Sequence, residues 1–299
     1  MTLSSSSFSA RNIGRTSSGR VCLLAAVAVS LIGWHVTGVL AVAEPAASAP
    51  PAAKTPSTTK AQSQLSLNDA IVIGASVSDG FMSTWDVPLA KPSPAGATRA
   101  TRPLKMRDIL WALTSKGGTD DVPLSGTTQQ IKSKASMMFF MSATDTAEQQ
   151  IQVAKAPGVS HVFAMDYLFW HCYGTMPEAE RLGMLAEGFK RLESLGDKMP
   201  LVIGDMPDMR HATMMLQPSQ IPTVETLAKA NEQIAAWVKG RKNVVVIPLT
   251  KLVTDVRAGK GIELGGTMYA KDAAKTLLQA DGLHAAVPGM VRVAIDSLT

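Results

Sequence analysis

Ile71-Val72-Ile73-Gly74-Ala75-Ser76-Val77-Ser78-Asp79-Gly80 joins a short apolar run to a turn of small and polar residues. The run 70–73 has the β-branched content of a buried strand. Gly74 lets the backbone bend sharply after it, and a helix opening there would leave unpaired N–H groups in its first turn. Ser76 is therefore predicted on the turn at a strand's carboxyl end, the place where open parallel sheets bind ligands. A serine so placed is a candidate nucleophile, although small residues after a strand often serve the turn alone.

Outward from this turn, short apolar runs alternate with segments of helical period, the pattern of βα units around a parallel sheet. Strands are expected at 70–73, 136–141, 160–165, 201–203 and 244–248. Met106, Ile109, Leu110 and Leu113 share one face of a predicted helix. So do Leu182, Leu185, Phe189, Leu192 and Leu195, with Pro177 near the start and Gly196 just past the end. Val224, Leu227, Asn231, Ile234 and Val238 repeat the spacing before Gly240. Together these elements predict a doubly wound, three-layer α/β/α sandwich with a five-stranded parallel sheet.

A second constellation lies near the carboxyl terminus, in Asp281-Gly282-Leu283-His284-Ala285-Ala286-Val287-Pro288-Gly289. On one loop, an aspartate three residues before a histidine can hold one ring nitrogen and leave the other facing a substrate. A serine hydroxyl is a weak nucleophile at neutral pH and needs such a base. Ser76 and the Asp281/His284 pair stand at opposite ends of one predicted α/β domain, both at strand carboxyl ends.

The 299 residues are 46 % hydrophobic and 18 % charged, which excludes a chain disordered throughout, a collagen and a coiled coil. Net charge is +5, but Arg11, Arg15 and Arg20 fall in the first 43 residues, which hold no acid; of the 29 basic residues, 26 remain against 24 acids. The excess belongs to the leader, so nucleic-acid binding is set aside. Residues 1–43 read as a signal peptide or membrane anchor: a Ser/Arg-rich segment, an apolar stretch from Val21 to Val42, and Ala41-Val42-Ala43 before Glu44. Export to the periplasm or the exterior is expected, with cleavage favoured over an uncleaved anchor that would associate with a membrane. Residues 44–64, rich in Pro, Ala, Ser and Thr, read as an extended linker, and the folded domain is placed at 65–299. Cys172 alone remains in the mature chain and reads as a small buried hydrophobe.

Here the chain resembles the SGNH, or GDSL-type, hydrolase family. Gly74-Ala75-Ser76-Val77-Ser78 stands where the family has Gly-Asp-Ser-Leu-Ser, and Asp281-Gly282-Leu283-His284 where it has its final Asp-x-x-His. Asn231-Glu232-Gln233-Ile234, leading a helix into 244–248, is similar to the family's penultimate helix and strand. The resemblance covers residues 68–290 and implies an SGNH-hydrolase-like, flavodoxin-like fold. It implies a secreted acyl or acetyl esterase in which Ser76 attacks a carbonyl, His284 carries the proton and Asp281 orients His284, on a small-molecule, glycan or lipid ester, with no cofactor or metal.

The family completes its oxyanion hole with a glycine N–H after strand two and an asparagine after strand three. Ser142-Ala143-Thr144 suits the first position better than Ser125-Gly126-Thr127, so the Ala143 N–H is the candidate. The asparagine position falls on or near Asp166, whose carboxylate would repel an oxyanion if ionised. Asp166 is then protonated, or has another role, or donors come from elsewhere, such as Tyr167 or His171. Asp166 and Ala75, which replaces the family's aspartate, motivate an alternative: a non-catalytic SGNH-like domain binding an envelope carbohydrate or a protein partner. His161 reads as structural, Asp205 and Asp208 as turn residues, and the segment holding Met206, Met209, Met214 and Met215 as a lid, a partner contact or a mobile loop.

Overall fold

The computed structural model describes residues 67, 69–88, 94, 96–114, 131–264 and 267–298. The leader, the linker and Gly126 lie outside them. All described residues belong to one unit, 61–299.

In chain order the elements are β1 (Ile71–Val72), α1 (Ser76–Asp79), β2 (Thr84–Pro88), β3 (Arg99–Pro103), α2 (Met106–Thr114), β4 (Lys132–Ser133), α3 (Ala143–Ala154), β5 (Val162–Ala164) and α4 (Phe169–Cys172). There follow α5 (Arg181–Glu193), β6 (Leu201–Gly204), α6 (Val224–Val238), β7 (Val244–Ile247), α7 (Leu249–Arg257), β8 (Ile262–Leu264), β9 (Thr267–Tyr269), α8 (Lys271–Ala274) and α9 (Val287–Asp296).

A five-stranded sheet runs in the order β4-β1-β5-β6-β7, every pair parallel, and two antiparallel hairpins, β2–β3 and β8–β9, stand apart from it. Because strand side chains alternate, the central strands feed two cores. Ile71, Val162, Ala164, Leu201 and Ile203 pack with Ile151, Leu185 and Ile234 of α3, α5 and α6 on one face. Val72, Phe163 and Val202 pack with Met106, Leu110, Met290 and Val293 of α2 and α9 on the other. Helices thus flank both faces, compatible with a three-layer α/β/α arrangement. Burial of each aliphatic side chain contributes about 1.5–3 kcal/mol, and truncating one such as Ile151 costs about 2–5 kcal/mol.

Four of the five expected strands lie where the apolar runs put them, one to three residues shorter in β1, β5 and β7. The fifth does not. Residues 136–141 form a turn and a 3₁₀ helix at Phe139–Met141, and the edge strand is the polar pair Lys132–Ser133. The Lys132, Lys134 and Ser136 N–H groups donate to Ala70, Val72 and Gly74, so pairing with β1 is finished by Ser136 and the chain turns away. Of the apolar residues in that run only Phe139 is buried; Met138, Phe140 and Met141 face solvent.

The chain leaves β1 for β4 on one side and returns to β5 on the other. The order reverses between β1 and β5, which opens a crevice at their carboxyl ends. Ser76 follows β1 and Asp166 follows β5, so both line this crevice.

Candidate active site

β1 delivers the chain to Gly74, whose φ of 131° is tolerated by glycine and rarely by other residues. A Cβ at Gly74 would lie 2.2 Å from an Asp166 carboxylate oxygen, so only glycine admits that carboxylate beneath the turn. Asp166 accepts the Ala75 N–H at 2.9 Å, the Val77 N–H at 2.8 Å, the Ser78 N–H at 3.2 Å and the Ser78 hydroxyl at 2.5 Å. Burial pushes its carboxyl up from the ordinary value, and these four bonds oppose that shift. Gln150 of α3 closes the other side, donating to the Gly74 carbonyl and accepting its N–H, both at 2.8 Å. The turn that carries Ser76 is therefore fixed from two directions.

The Asp281–His284 loop is closed on itself. Gln279 N–H donates to the His284 carbonyl at 2.8 Å and Ala286 N–H to the Leu277 carbonyl at 2.9 Å, before α9 begins at Val287. Gly282, at φ 69°, lets the loop pass the His211 ring, which a Cβ there would meet at 3.1 Å. Asp281 Oδ1 accepts the Leu283 and His284 N–H groups at 2.9 and 3.0 Å, and Oδ2 lies 2.7 Å from His284 Nδ1. Burial raises the Asp281 carboxyl, but the hydrogen bonds from His284 and Leu283 outweigh it and hold the group below its usual range.

His284 Nε2 lies 2.9 Å from Ser76 Oγ, across 208 residues of sequence. With its proton on Nδ1, bonded to Asp281, the ring presents an unprotonated Nε2 to the serine hydroxyl. Phe81 stacks on the imidazole with centroids 4.0 Å apart and planes at 21°. Gln279 Nε2 donates to the Phe81 and Ala285 carbonyls at 2.8 and 3.0 Å, tying the segment after α1 to the histidine loop. Such a chain of groups can remove a proton from the hydroxyl as it attacks and return it to a leaving group.

No protein-family model, curated protein or solved structure matches the chain. What the site does must be argued from its own geometry.

Ser76, Asp281 and His284 come together as the sequence suggested. The oxyanion candidates do not join them in that role. Asp166 is committed to four donors of the turn that carries Ser76, a structural duty. Ala143 opens α3 and packs against the core, and is not among the residues lining the cavity beside Ser76. His171 is fully buried, its Nδ1 3.1 Å from the Tyr167 carbonyl and its ring against Phe139 and Tyr167. Burial lowers its pKa to about 4, so it is a neutral core histidine and not an oxyanion donor. Tyr167 is likewise buried, with its hydroxyl toward the Ala147 carbonyl. Ser76 itself offers a donor: its N–H, the first of α1, makes no hydrogen bond to an acceptor among the described residues.

Beside Ser76 opens a cavity of about 80 Å³. Trp170 and Phe169 wall it, and Leu249 and Val253 reach it from α7. Met206 and Met209 of the methionine-rich segment are buried along it, whereas Met214 and Met215 are exposed. Asn231 of α6 positions that segment, accepting the Met206 N–H at 2.8 Å and donating to its carbonyl at 2.9 Å. Asp205 holds the end of β6 to α7 by accepting the Thr250 N–H at 2.6 Å. Asp208 pairs with Arg210, and His161 Nδ1 meets Ser160 Oγ at 3.1 Å. Burial raises the Cys172 thiol to about 12, far from a reactive thiolate. Sequence reasoning missed Phe81 and Gln279, neither of which carries any local signal of its role. Among the described residues no cluster of three His, Cys, Asp or Glu side chains is disposed to hold a metal, and no helix is long and apolar enough to cross a membrane.

Proposed function

We propose that this protein is an exported serine ester hydrolase of the SGNH kind. One observation carries the reading: Ser76 Oγ stands 2.9 Å from His284 Nε2, and the other nitrogen of that ring stands 2.7 Å from Asp281. Within general acid–base catalysis this is hydrogen-bond reach, without substrate in place. The order of the residues in the chain and the location at the sheet's switch point support it further.

Ser76 Oγ attacks the ester carbonyl while His284 Nε2 takes its proton, and the tetrahedral oxyanion forms toward the Ser76 N–H. Collapse breaks the bond to the alcohol oxygen, which leaves with the proton from His284, and an acyl-serine remains. Water then attacks this ester, His284 again takes and returns a proton, and the carboxylic acid departs from a restored hydroxyl. The alternative of a binding-only domain drew on Asp166 and Ala75; the hydrogen bonds from the turn account for the aspartate without it, and Ala75 is a buried core residue.

Steady-state hydrolysis of p-nitrophenyl esters tests the reading. Turnover by the wild type that Ser76→Ala abolishes is the expected result. Absence of turnover by folded wild type, or equal turnover by Ser76→Ala, would refute it.

A further inference from the structure

We infer that the cavity beside Ser76 is an acyl pocket, so that the preferred substrate is an ester of an apolar acid several carbons long rather than an acetyl ester or a glycan bound by its hydroxyls. The inference rests on the hydrolase reading and specifies which half of the ester enters the protein.

The lining carries it. Apart from Ser76, the only carboxylate, hydroxyl or amide side chains among the described residues that reach the cavity are Asp166 and Asp205. Asp166 is held by donors of the Ser76 turn and Asp205 by Thr250 N–H, so both already have partners. Among the described residues no Lys, Arg or His lines the cavity to receive a phosphate or a carboxylate. Sugar hydroxyls placed there would be buried without partners, whereas methylenes would meet Trp170, Phe169, Met206, Leu249, Leu252 and Val253. At about 80 Å³ the cavity is several times the about 10–15 Å³ that one water molecule needs, so it takes several methylenes. The polar alcohol then stays at the mouth. There Phe140, 5.6 Å from Trp170 ring to ring, continues the apolar wall onto the exposed Met137, Met138 and Met141.

The test is a chain-length series of p-nitrophenyl acetate, butyrate and octanoate with the purified protein, read as kcat/KM. Each added methylene is expected to raise kcat/KM about fourfold until the pocket is full, so that butyrate exceeds acetate by about fifteenfold. Val253→Phe, which fills the pocket from α7, is expected to lower the octanoate-to-acetate ratio at least about tenfold. Leu249→Phe provides the same readout should the first variant not fold. Acetate turned over as fast as or faster than the longer esters, or a ratio untouched by folded pocket variants, would overturn the inference and leave the hydrolase intact. No ester cleaved at any length would overturn both.

Discussion

Asp166 holds the Ser78 hydroxyl at 2.5 Å, and in doing so anchors the turn two residues before it, from the far side of the β1–β5 crevice. The same carboxylate takes three backbone N–H groups, so Asp166→Ala would leave four donors unpartnered, three of them buried at about 1–3 kcal/mol each before relaxation. A loss of about 3 kcal/mol or more is expected in chemical denaturation. The isosteric Asp166→Asn keeps the volume but turns one acceptor into a donor, and should slow reaction of Ser76 with a fluorophosphonate about tenfold or more. An unchanged denaturation midpoint for the alanine variant would remove the anchoring role.

Asp281→Asn should be damaging out of proportion to its size. The backbone N–H groups of Leu283 and His284 would hold the amide oxygen, so its NH₂ would face His284 Nδ1. The ring would then carry its proton on Nε2 and could no longer accept from Ser76. A fall in kcat of about 10³–10⁴-fold with little change in stability is expected from initial-rate kinetics.

Phe81→Ala removes the ring stacked on His284 and frees the imidazole to tilt. An aromatic pair of this kind is worth about 0.5–1.5 kcal/mol, which corresponds to a loss of about two- to tenfold in kcat. Phe81→Tyr, keeping the ring face, should restore most of it, and failure of that rescue would place the effect elsewhere.

The legible parts of the fold were those where both faces of an element are buried. β1 and β6 announce themselves as aliphatic runs because a central parallel strand has no solvent side to mark with polar residues. β4 is an edge strand of one lysine and one serine, held by backbone bonds alone, and nothing in Lys132-Ser133 signals it. The apolar run at 136–141 misleads for the opposite reason, since its apolar side chains other than Phe139 face outward. The triad was readable because its members carry reactive groups in short motifs. Asp166 was located with its role left open: that three N–H groups of a turn 88 to 91 residues earlier need an acceptor there is visible only in three dimensions.

His171 makes the protein acid-sensitive independently of catalysis. Its ring titrates near 4 when folded because of burial, against about 6.5 in an unfolded chain. Between those values the unfolded state binds more protons, so stability falls as pH drops through that window and is fully retained above it. The loss from this group is on the order of 3 kcal/mol by pH 4. Urea midpoints measured from pH 7 to 4 should show this slope, and His171→Leu should flatten it, even if it lowers stability at pH 7.

The most direct measurement is mass-spectrometric localisation of a fluorophosphonate adduct on folded wild-type protein and on His284→Ala. The expected result is a single phosphonylated residue, Ser76, in the wild type, with labelling lost or slowed by about 10³-fold or more without the imidazole. An adduct elsewhere, none at all, or equal labelling of Ser76 in both proteins would contradict an imidazole-activated serine at this site.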